Sequence, residues 1–218
     1  IIFGLILGGP PGYVLFYNLG YYLRQPLEIF LPFDFSHGIT FTGISGMSFH
    51  GGLIGVLFAT IWYGRKIKRD FWDIADLFCP AIPLGYTFGR IGNFINGELY
   101  GRVTDWPLGM RFPLADNGDL RHPSQLYEAF FEGIVLFFLL WTIREKVKVK
   151  GVMFPLYLLG YGCARFFIEY FREPDAHMGF VWLNFSMGQV LCLAMMIVGI
   201  GLLIWRIRTK EKGSTLHV

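Results

Sequence analysis

The sequence predicts an all-α polytopic membrane protein, folded as a single transmembrane domain over residues 1–218. Hydrophobic residues make up 54% of the chain and charged residues only 16%, with a mean hydropathy of +0.47. Such a composition lies outside the range of soluble globular proteins. Apolar stretches of spanning or near-spanning length recur along the whole chain, and short basic clusters separate them. Together these observations predict a bundle of transmembrane helices.

Six apolar stretches predict six visible transmembrane helices, at Ile1–Tyr17, Met47–Tyr63, Ile74–Phe88, Leu126–Ile143, Val152–Ile168 and Met187–Trp205. Some are shorter than the roughly 20 residues of a perpendicular span, so we expect their ends to extend through polar residues or to be buried in protein. The chain opens on Ile1, inside an apolar run and without an initiating methionine. We therefore expect a further helix before it.

The orientation of the bundle follows from its basic residues. Twelve of the nineteen lysines and arginines fall in three clusters: Arg65, Lys66, Lys68 and Arg69; Arg144, Lys146, Lys148 and Lys150; and Arg206, Arg208, Lys210 and Lys212. Basic loops stay on the cytoplasmic side of a membrane. Two predicted spans separate each cluster from the next, so all three can face the cytoplasm. The C-terminus is then also cytoplasmic.

The remaining basic residues are all arginine: Arg24, Arg90, Arg102, Arg111, Arg121, Arg165 and Arg172. Topology alone would accept lysine at these positions. Arginine is favoured where a planar fork must hold an anion through two hydrogen bonds or form a buried ion pair. The distribution therefore favours an anion site that faces the extracytoplasmic side.

Two of these arginines, Arg90 and Arg165, lie within apolar surroundings. A charge at bilayer depth costs about 2.5 kcal/mol or more, which makes such a residue a candidate functional residue. The planar, permanently charged guanidinium suits a phosphate. A phospholipid headgroup is the first candidate ligand.

Arg90 belongs to a segment from Pro83 to Arg102 that is rich in glycine and polar residues, with Asn93, Asn96, Glu98 and Gly101 among them. It predicts a helix end that opens into a loop, with Arg90 and Asn93 on one helical face. Glycine allows close backbone approach, and irregular backbone at membrane depth is tolerated where it lines a cavity. The alternative is a glycine-rich packing seam with Arg90 reaching the interface.

Arg165, Glu169 and Arg172 are spaced four and three residues apart, which predicts one charged stripe on a helix. The Glu169 carboxylate could then hold both guanidinium groups. A neutral ladder of this kind can also be purely structural near the outer interface.

The roles of three further polar residues, His50, Glu128 and Glu132, remain open. His50 is predicted at the outer end of its span, where it is either an interfacial residue or a catalytic one. Pro123 predicts a helix start. Glu128 and Glu132 then share one face of that helix, either as counterions of the arginines or as the lining of a polar cavity.

Residues 99–121 predict a small extracytoplasmic cap, because hydrophobicity falls there and turn residues accumulate. Asp116, Asn117 and Gly118 could close a hairpin within it.

Cys79, Cys163 and Cys192 lie in apolar stretches and are predicted to be packing residues, with a reactive thiol at Cys163 as the alternative. Motifs for a metal, a nucleotide or a cofactor are missing from the sequence, so we expect neither metal nor cofactor. Nucleic-acid binding is unsupported, because topology explains the basic residues.

Several segments together resemble the prolipoprotein diacylglyceryl transferase family. The resemblance covers nearly the whole chain and rests on Gly12-Tyr-Val-Leu-Phe-Tyr-Asn18, Gly46-Met-Ser-Phe-His-Gly-Gly-Leu-Ile-Gly55, Gly89-Arg-Ile-Gly-Asn-Phe-Ile-Asn-Gly-Glu-Leu-Tyr-Gly-Arg102, Arg121-His-Pro-Ser-Gln-Leu-Tyr-Glu128 and Arg165-Phe-Phe-Ile-Glu-Tyr-Phe-Arg-Glu-Pro-Asp175. It implies seven spans, one more than is visible here. The chain departs from the family at Pro10, where the resemblance suggests an arginine.

The resemblance implies an enzyme of the bacterial cytoplasmic (inner) membrane with an extracytoplasmic active site. Its partners would be the lipid bilayer, phosphatidylglycerol, and a prolipoprotein signal peptide whose lipobox cysteine receives the diacylglyceryl group. Under this reading Arg90 and Asn93 hold the phosphate and Arg165, oriented by Glu169, neutralises the leaving group. His50 is the candidate base, and an arginine-assisted thiolate without a protein base is the alternative. Asn96, Glu98, Gly101 and Arg172 complete the expected phosphatidylglycerol-binding set.

A different class of protein, a transporter or flippase for anionic lipids, would also place arginines in the membrane. Its usual signature is a repeat between the two halves of the chain, and none is evident in the sequence. Modification of a lipobox peptide would distinguish the transferase from the transporter.

Overall fold

The computed structural model describes residues 33–34, 40–41, 49–115, 118–173, 180–182 and 185–214. The chain divides into two compact units, Ile1–Ile74 and Ala75–Val218. The predicted helix Ile1–Tyr17 lies outside the described residues. The fold is mostly helical, and its few short strands are the departure from an all-α prediction.

The first unit contains a short antiparallel pair, β1 (Phe33–Asp34) and β2 (Thr40–Phe41), followed by the helix α1 (Phe49–Lys66). A helix was predicted at Met47–Tyr63, and α1 confirms one there. It extends three residues further through its basic end. The chain then reverses, since Lys68 has a left-handed φ of 55° and the Arg69 amide donates to the Gly64 carbonyl over 2.9 Å.

The predicted span Ile74–Phe88 is divided in the structure. Helix α2 (Phe71–Phe78) ends at a single 3₁₀ turn, Cys79–Ala81, and α3 (Ile82–Ile95) follows. Pro80 and Pro83 explain the interruption, because proline lacks an amide donor and its ring crowds the preceding turn. The sequence prediction treated this stretch as one helix and was wrong on that point.

Helix α4 spans Ser124–Ile143 and changes its winding midway. The part Ser124–Glu128 is α-helical, Ala129–Val135 is a π-helix, and Leu136–Ile143 is α-helical again. Pro123 stands immediately before the first turn, as predicted. π-Helical segments are rare and occur often at functional sites.

The last two helices, α5 (Met153–Ile168) and α6 (Met187–Ser214), pack against each other. A short antiparallel pair lies between them in the sequence, β3 (Phe180–Trp182) and β4 (Phe185–Ser186). Glycines permit the close packing, since a Cβ at Gly162 would lie 2.8 Å from Met196. Arg206 near the end of α6 donates through Nε to the Lys150 carbonyl over 2.9 Å. One residue of the third basic cluster therefore contacts the second cluster, and the topology of the helices stays a prediction.

The cap predicted at residues 99–121 is irregular rather than a regular hairpin. Arg121 forms isolated bridges with both Val103 and Met110, and the Thr104 amide donates to the Leu120 carbonyl over 2.8 Å. Asp116 and Asn117, the expected turn, lie outside the described residues. Gly118 has a left-handed φ of 63°, which suits a turn.

Polarity is reversed relative to a soluble protein. Phe58, Phe88 and Ile197 are each more than 60% exposed, whereas Glu128 and Glu132 are fully buried. Extensive exposed apolar surface marks a face that contacts a membrane or a partner. Within the described residues two helices, Ser124–Ile143 and Met187–Thr209, are long and apolar enough to cross a membrane. The total number of spans stays a prediction.

Close packing of α3 on the π segment of α4 provides a test of the fold. A Cβ at Gly133 would collide with the Thr87 hydroxyl, whereas a Cβ at Gly85 on α3 meets nothing within 4 Å. We expect Gly133→Ala to lower the thermal-unfolding midpoint in detergent, through overpacking that costs about 1–3 kcal/mol. Gly85→Ala should leave the midpoint unchanged or raise it, because alanine is the better helix former. Adding Thr87→Ala to Gly133→Ala removes the colliding hydroxyl and should recover part of the midpoint, although the Thr87 Cβ stays 3.0 Å away; no recovery would contradict this packing.

Candidate functional site

A fully buried carboxylate, Glu128, lies where three arginines meet. Its Oε2 atom is 2.8 Å from Arg90 Nε and 3.0 Å from Arg165 Nη1, and its Oε1 atom is 3.8 Å from Arg172 Nη1. Arg90 and Arg165 therefore converge on a single oxygen. The two residues singled out by their membrane-embedded charge lie in the same site.

A second buried carboxylate, Glu132, lies one helical turn beyond Glu128. Its Oε1 atom is 3.7 Å from Arg165 Nη1. The Tyr86 hydroxyl is 2.7 Å from Glu132 Oε2 and 3.0 Å from Glu128 Oε2, so it bridges the two acids. Of the roles left open for Glu128 and Glu132, counterion geometry is the one that the structure shows.

Tyr86 is the site residue that sequence reasoning missed. Its ring lies beneath the Arg90 guanidinium, 4.9 Å from the ring centroid, and meets the Tyr161 ring edge-on at 5.7 Å. A guanidinium over an aromatic face gains cation–π attraction. The available signal was its spacing, since Tyr86 precedes Arg90 by one helical turn on the same face.

Three helices position this cluster, and each contributes through regular spacing. Tyr86 and Arg90 are four residues apart on α3, and Glu128 and Glu132 are four apart on α4. Arg165 occupies the last turn of α5. Because residues four apart share a helical face, each helix presents two polar groups or one cation to the same interior point.

A chain of hydrogen bonds extends from Arg90 into the following loop. Arg90 Nη1 donates to Asn93 Oδ1 over 3.4 Å, and Asn93 Nδ2 donates to Glu98 Oε1 over 2.8 Å. Asn96 Nδ2 reaches the same Glu98 oxygen at 3.3 Å. These two amide donors lower the pKa of Glu98, because they stabilise its ionised form. Gly97, with a left-handed φ of 69°, turns the chain so that Glu98 faces back.

The predicted stripe of Arg165, Glu169 and Arg172 is broken. Helix α5 ends at Ile168, so Arg172 lies beyond the helix in a turn. Glu169 Oε2 is 3.2 Å from Arg165 Nη2, whereas the ion pair of Arg172 is formed with Glu128. Glu169 therefore does not hold both guanidinium groups as the sequence suggested.

Glu169 connects Arg165 to the start of α6. Its Oε1 atom accepts a hydrogen bond from Ser186 Oγ over 3.0 Å, and it packs so closely on Gly188 that any side chain there would collide with it. Helix N-termini favour negative charge. The orienting role predicted for Glu169 is consistent with this position.

Gly101 forms a bridge with Arg172, and a Cβ at Gly101 would collide with the Phe171 carbonyl and His122. Its close approach is thus to protein backbone, which fixes Arg172. Arg102 Nε supports the same segment by donating to the Arg172 carbonyl over 2.6 Å. The expected contact of Gly101 with lipid stays a prediction.

His50 lies in α1, in the first unit, and its side chain is outside the described ones. Its predicted role as a base stays a prediction. Cys79 and Cys192 are buried, in keeping with packing, whereas Cys163 is exposed.

Hydrogen bonding within the cluster is incomplete. Four buried atoms lie within ion-pair distance of a partner yet make no hydrogen bond among the described residues: Glu128 Oε1, Glu132 Oε1, Arg165 Nη1 and Glu169 Oε2. Buried polar atoms are nearly always satisfied by protein, water or ligand. Three of these atoms are carboxylate oxygens, which can accept from a donor, and only Arg165 Nη1 is a donor that suits an anion.

Comparison with known proteins agrees with the resemblance noted from the sequence. Residues 1–205 match the family described as prolipoprotein diacylglyceryl transferase. A Chlorobaculum tepidum protein is 58% identical over 214 residues, which cover 98% of this chain and 74% of the relative. A Photobacterium profundum protein is 49% identical, covering 96% and 74%, and a Paracidovorax citrulli protein is 46% identical, covering 94% and 73%. All three relatives are named phosphatidylglycerol–prolipoprotein diacylglyceryl transferase. The chain belongs to the prolipoprotein diacylglyceryl transferase family.

Proposed function

We propose that this protein transfers the diacylglyceryl group of phosphatidylglycerol to the lipobox cysteine thiol of a prolipoprotein. The relatives' names support the reaction and its two substrates. The observation that carries the assignment of the site is the convergence of Arg90 and Arg165 on Glu128.

The reaction replaces one bond with another. The cysteine sulfur forms a thioether with the glyceryl carbon, the bond from that carbon to the phosphate oxygen breaks, and glycerol phosphate leaves with the bonding electrons. The thiol proton passes to a base or to water. Negative charge therefore builds up on the departing phosphate, and fixed cations beside it lower the barrier.

Arg90 and Arg165 supply that positive charge. In the resting site Glu128 pairs with both, and Glu132 and Glu169 add negative charge beside Arg165, which keeps two buried guanidinium groups stable without a ligand. We propose that the lipid phosphate takes over part of this bonding. Arg90, supported by Asn93, holds the headgroup, and Arg165, held by Glu169, stabilises the leaving oxygen. Asn96, Glu98 and Arg172 shape the rim of the site.

His50 is proposed as the proton acceptor, with the unassisted thiolate as the alternative. A free thiol has a pKa near 8.5, so at high pH it ionises without a base. If His50 is the base, we expect His50→Asn to lose most activity near neutral pH and to recover as the pH rises past the thiol pKa, because the substrate thiol then ionises without a base. The pH dependence of turnover measures this. Normal turnover of the variant at neutral pH would assign deprotonation to the arginine-assisted thiolate instead.

We also propose six transmembrane helices in residues 1–218 and an extracytoplasmic cap at residues 99–121. The basic ends of α1, α4 and α6 support a cytoplasmic C-terminus in the bacterial inner membrane, with the active site opposite.

Incubation of the purified protein in detergent with phosphatidylglycerol and a lipobox peptide tests the function. The peptide should gain the mass of one diacylglyceryl group, and glycerol phosphate should appear in equal amount. A peptide with serine in place of the lipobox cysteine serves as the control and should stay unmodified. Movement of lipid across vesicles without peptide modification would indicate a transporter or flippase and would refute the transferase.

A further inference from the structure

A second group of arginines lines a cavity in the first unit, where the basic end of α1 turns toward α2. The cavity has a volume of about 410 Å³, and its lining consists of Leu57, Ile61, Arg65, Arg69, Asp70 and Phe71. None of these residues belongs to the Glu128 cluster. The cavity is therefore not accounted for by the transfer reaction.

The lining is arranged from apolar to charged along one helix. Leu57, Ile61 and Arg65 follow each other at intervals of four on α1, so they lie on one face. The rise from Leu57 to Arg65 is about 12 Å. Leu57 and Ile61 are each 39% exposed, which leaves an apolar track open to the surroundings below the arginine. An amphipathic molecule matches this order of groups.

Backbone geometry brings the second arginine to the same cavity. The left-handed φ of 55° at Lys68 reverses the chain after α1, and the Arg69 amide bonds to the Gly64 carbonyl. A non-glycine residue rarely adopts this conformation. The reversal places Arg69 at the cavity that Arg65 lines.

The charge of the cavity lining indicates which ligand the cavity can bind. Among the described residues neither the Arg65 nor the Arg69 guanidinium forms an ion pair with a carboxylate, although Asp70 lines the same cavity. Two arginines and one aspartate give the cavity a net charge of +1. One phosphodiester carries a single negative charge and suits the forked donors of arginine.

We propose that this cavity binds one anionic phospholipid, with the phosphate between Arg65 and Arg69 and an acyl chain along Leu57 and Ile61. The basic residues assign this end of α1 to the cytoplasmic side, so the ligand is a lipid of the inner leaflet. Free phosphate satisfies the arginines but leaves the apolar track uncovered. Asp70 provides an acceptor for a headgroup hydroxyl.

Photo-crosslinking with peptide mapping tests the proposal, because it separates this cavity from the active site. The protein, in nanodiscs of phosphatidylcholine, is labelled with a trace of photoactivatable phosphatidylglycerol and no peptide substrate. We expect label on residues 57–71. The double variant R65Q/R69Q should reduce that label by more than about tenfold, since each of the two lost charge-assisted bonds weakens binding by roughly tenfold.

The matched control is K66Q/K68Q, which removes the same charge from the same turn but from residues that do not line the cavity. It should keep most of the label. Equal loss in both variants, equal labelling by photoactivatable phosphatidylcholine, full competition by inorganic phosphate, or no label on residues 57–71 would each overturn the proposal. Peptide modification by R65Q/R69Q is measured in parallel, and a rate like that of the wild type shows that the variant is folded. If the wild-type protein does not modify the peptide, the proposed function is refuted, whereas the label on residues 57–71 should be unchanged.

Discussion

Glu128→Gln is expected to abolish transfer almost completely, with at least a hundredfold loss of turnover. The amide keeps the shape of the side chain but removes the charge that Arg90, Arg165 and Arg172 share. Removing one partner from a buried ion pair costs about 3–5 kcal/mol, because the remaining charge is left uncompensated. The arginines should then separate, and their geometry toward the phosphate should be lost.

The measurement is the initial rate of peptide modification at saturating lipid, together with the thermal-unfolding midpoint. Glu145→Gln is the control, since Glu145 also pairs with an arginine but its side chain is 80% exposed. Exposed ion pairs contribute little, so this variant should behave as the wild type in both measurements. Turnover of Glu128→Gln within a few-fold of the wild type would show that Glu128 does not organise the site.

Arg165→Lys should be nearly inactive although it preserves the charge. The guanidinium uses Nη1 toward Glu128 and Glu132 and Nη2 toward Glu169, so three carboxylates depend on one planar group. A lysine ammonium is a compact charge, so it cannot donate in the two fixed directions that the planar guanidinium uses. Loss of one donor aimed at the leaving group corresponds to roughly a hundredfold to a thousandfold in kcat.

Steady-state kinetics distinguish this effect from weaker binding. If Arg165 stabilises the leaving oxygen as proposed, kcat should fall much more than the KM for phosphatidylglycerol rises, because that interaction is strongest in the transition state. Arg111→Lys, in the exposed cap, is the control and should retain normal kinetics. A normal kcat in Arg165→Lys would remove bidentate geometry from the mechanism.

The positions of the described helices followed from the sequence because hydropathy and proline act locally. The stretches at Met47–Tyr63, Val152–Ile168 and Met187–Trp205 each became one helix, and Pro123 preceded another. The same local signals did not reveal that the helix is interrupted at Pro80 and Pro83, because the apolar run continues through both prolines.

The sequence predicted which residues form the candidate site better than it predicted how those residues are paired. Spacing placed Asn93 beside Arg90, and the structure shows that hydrogen bond. Spacing could not pair Arg172 with Glu128, since that ion pair depends on where α5 ends and on how α4 lies beside it. Tyr86 looked like one more aromatic residue, because only its neighbours on other helices reveal its two carboxylate contacts.

The attachment of α6 at both ends limits how lipid can enter. Ser186, just before the helix, bonds to the carboxylate that secures Arg165, and Arg206, about 30 Å further along, bonds to the Lys150 carbonyl. Sliding α6 along α5 would break one of these two anchors. We therefore expect the contact between α5 and α6 to stay closed and phospholipid to exchange with the bilayer at another helix boundary.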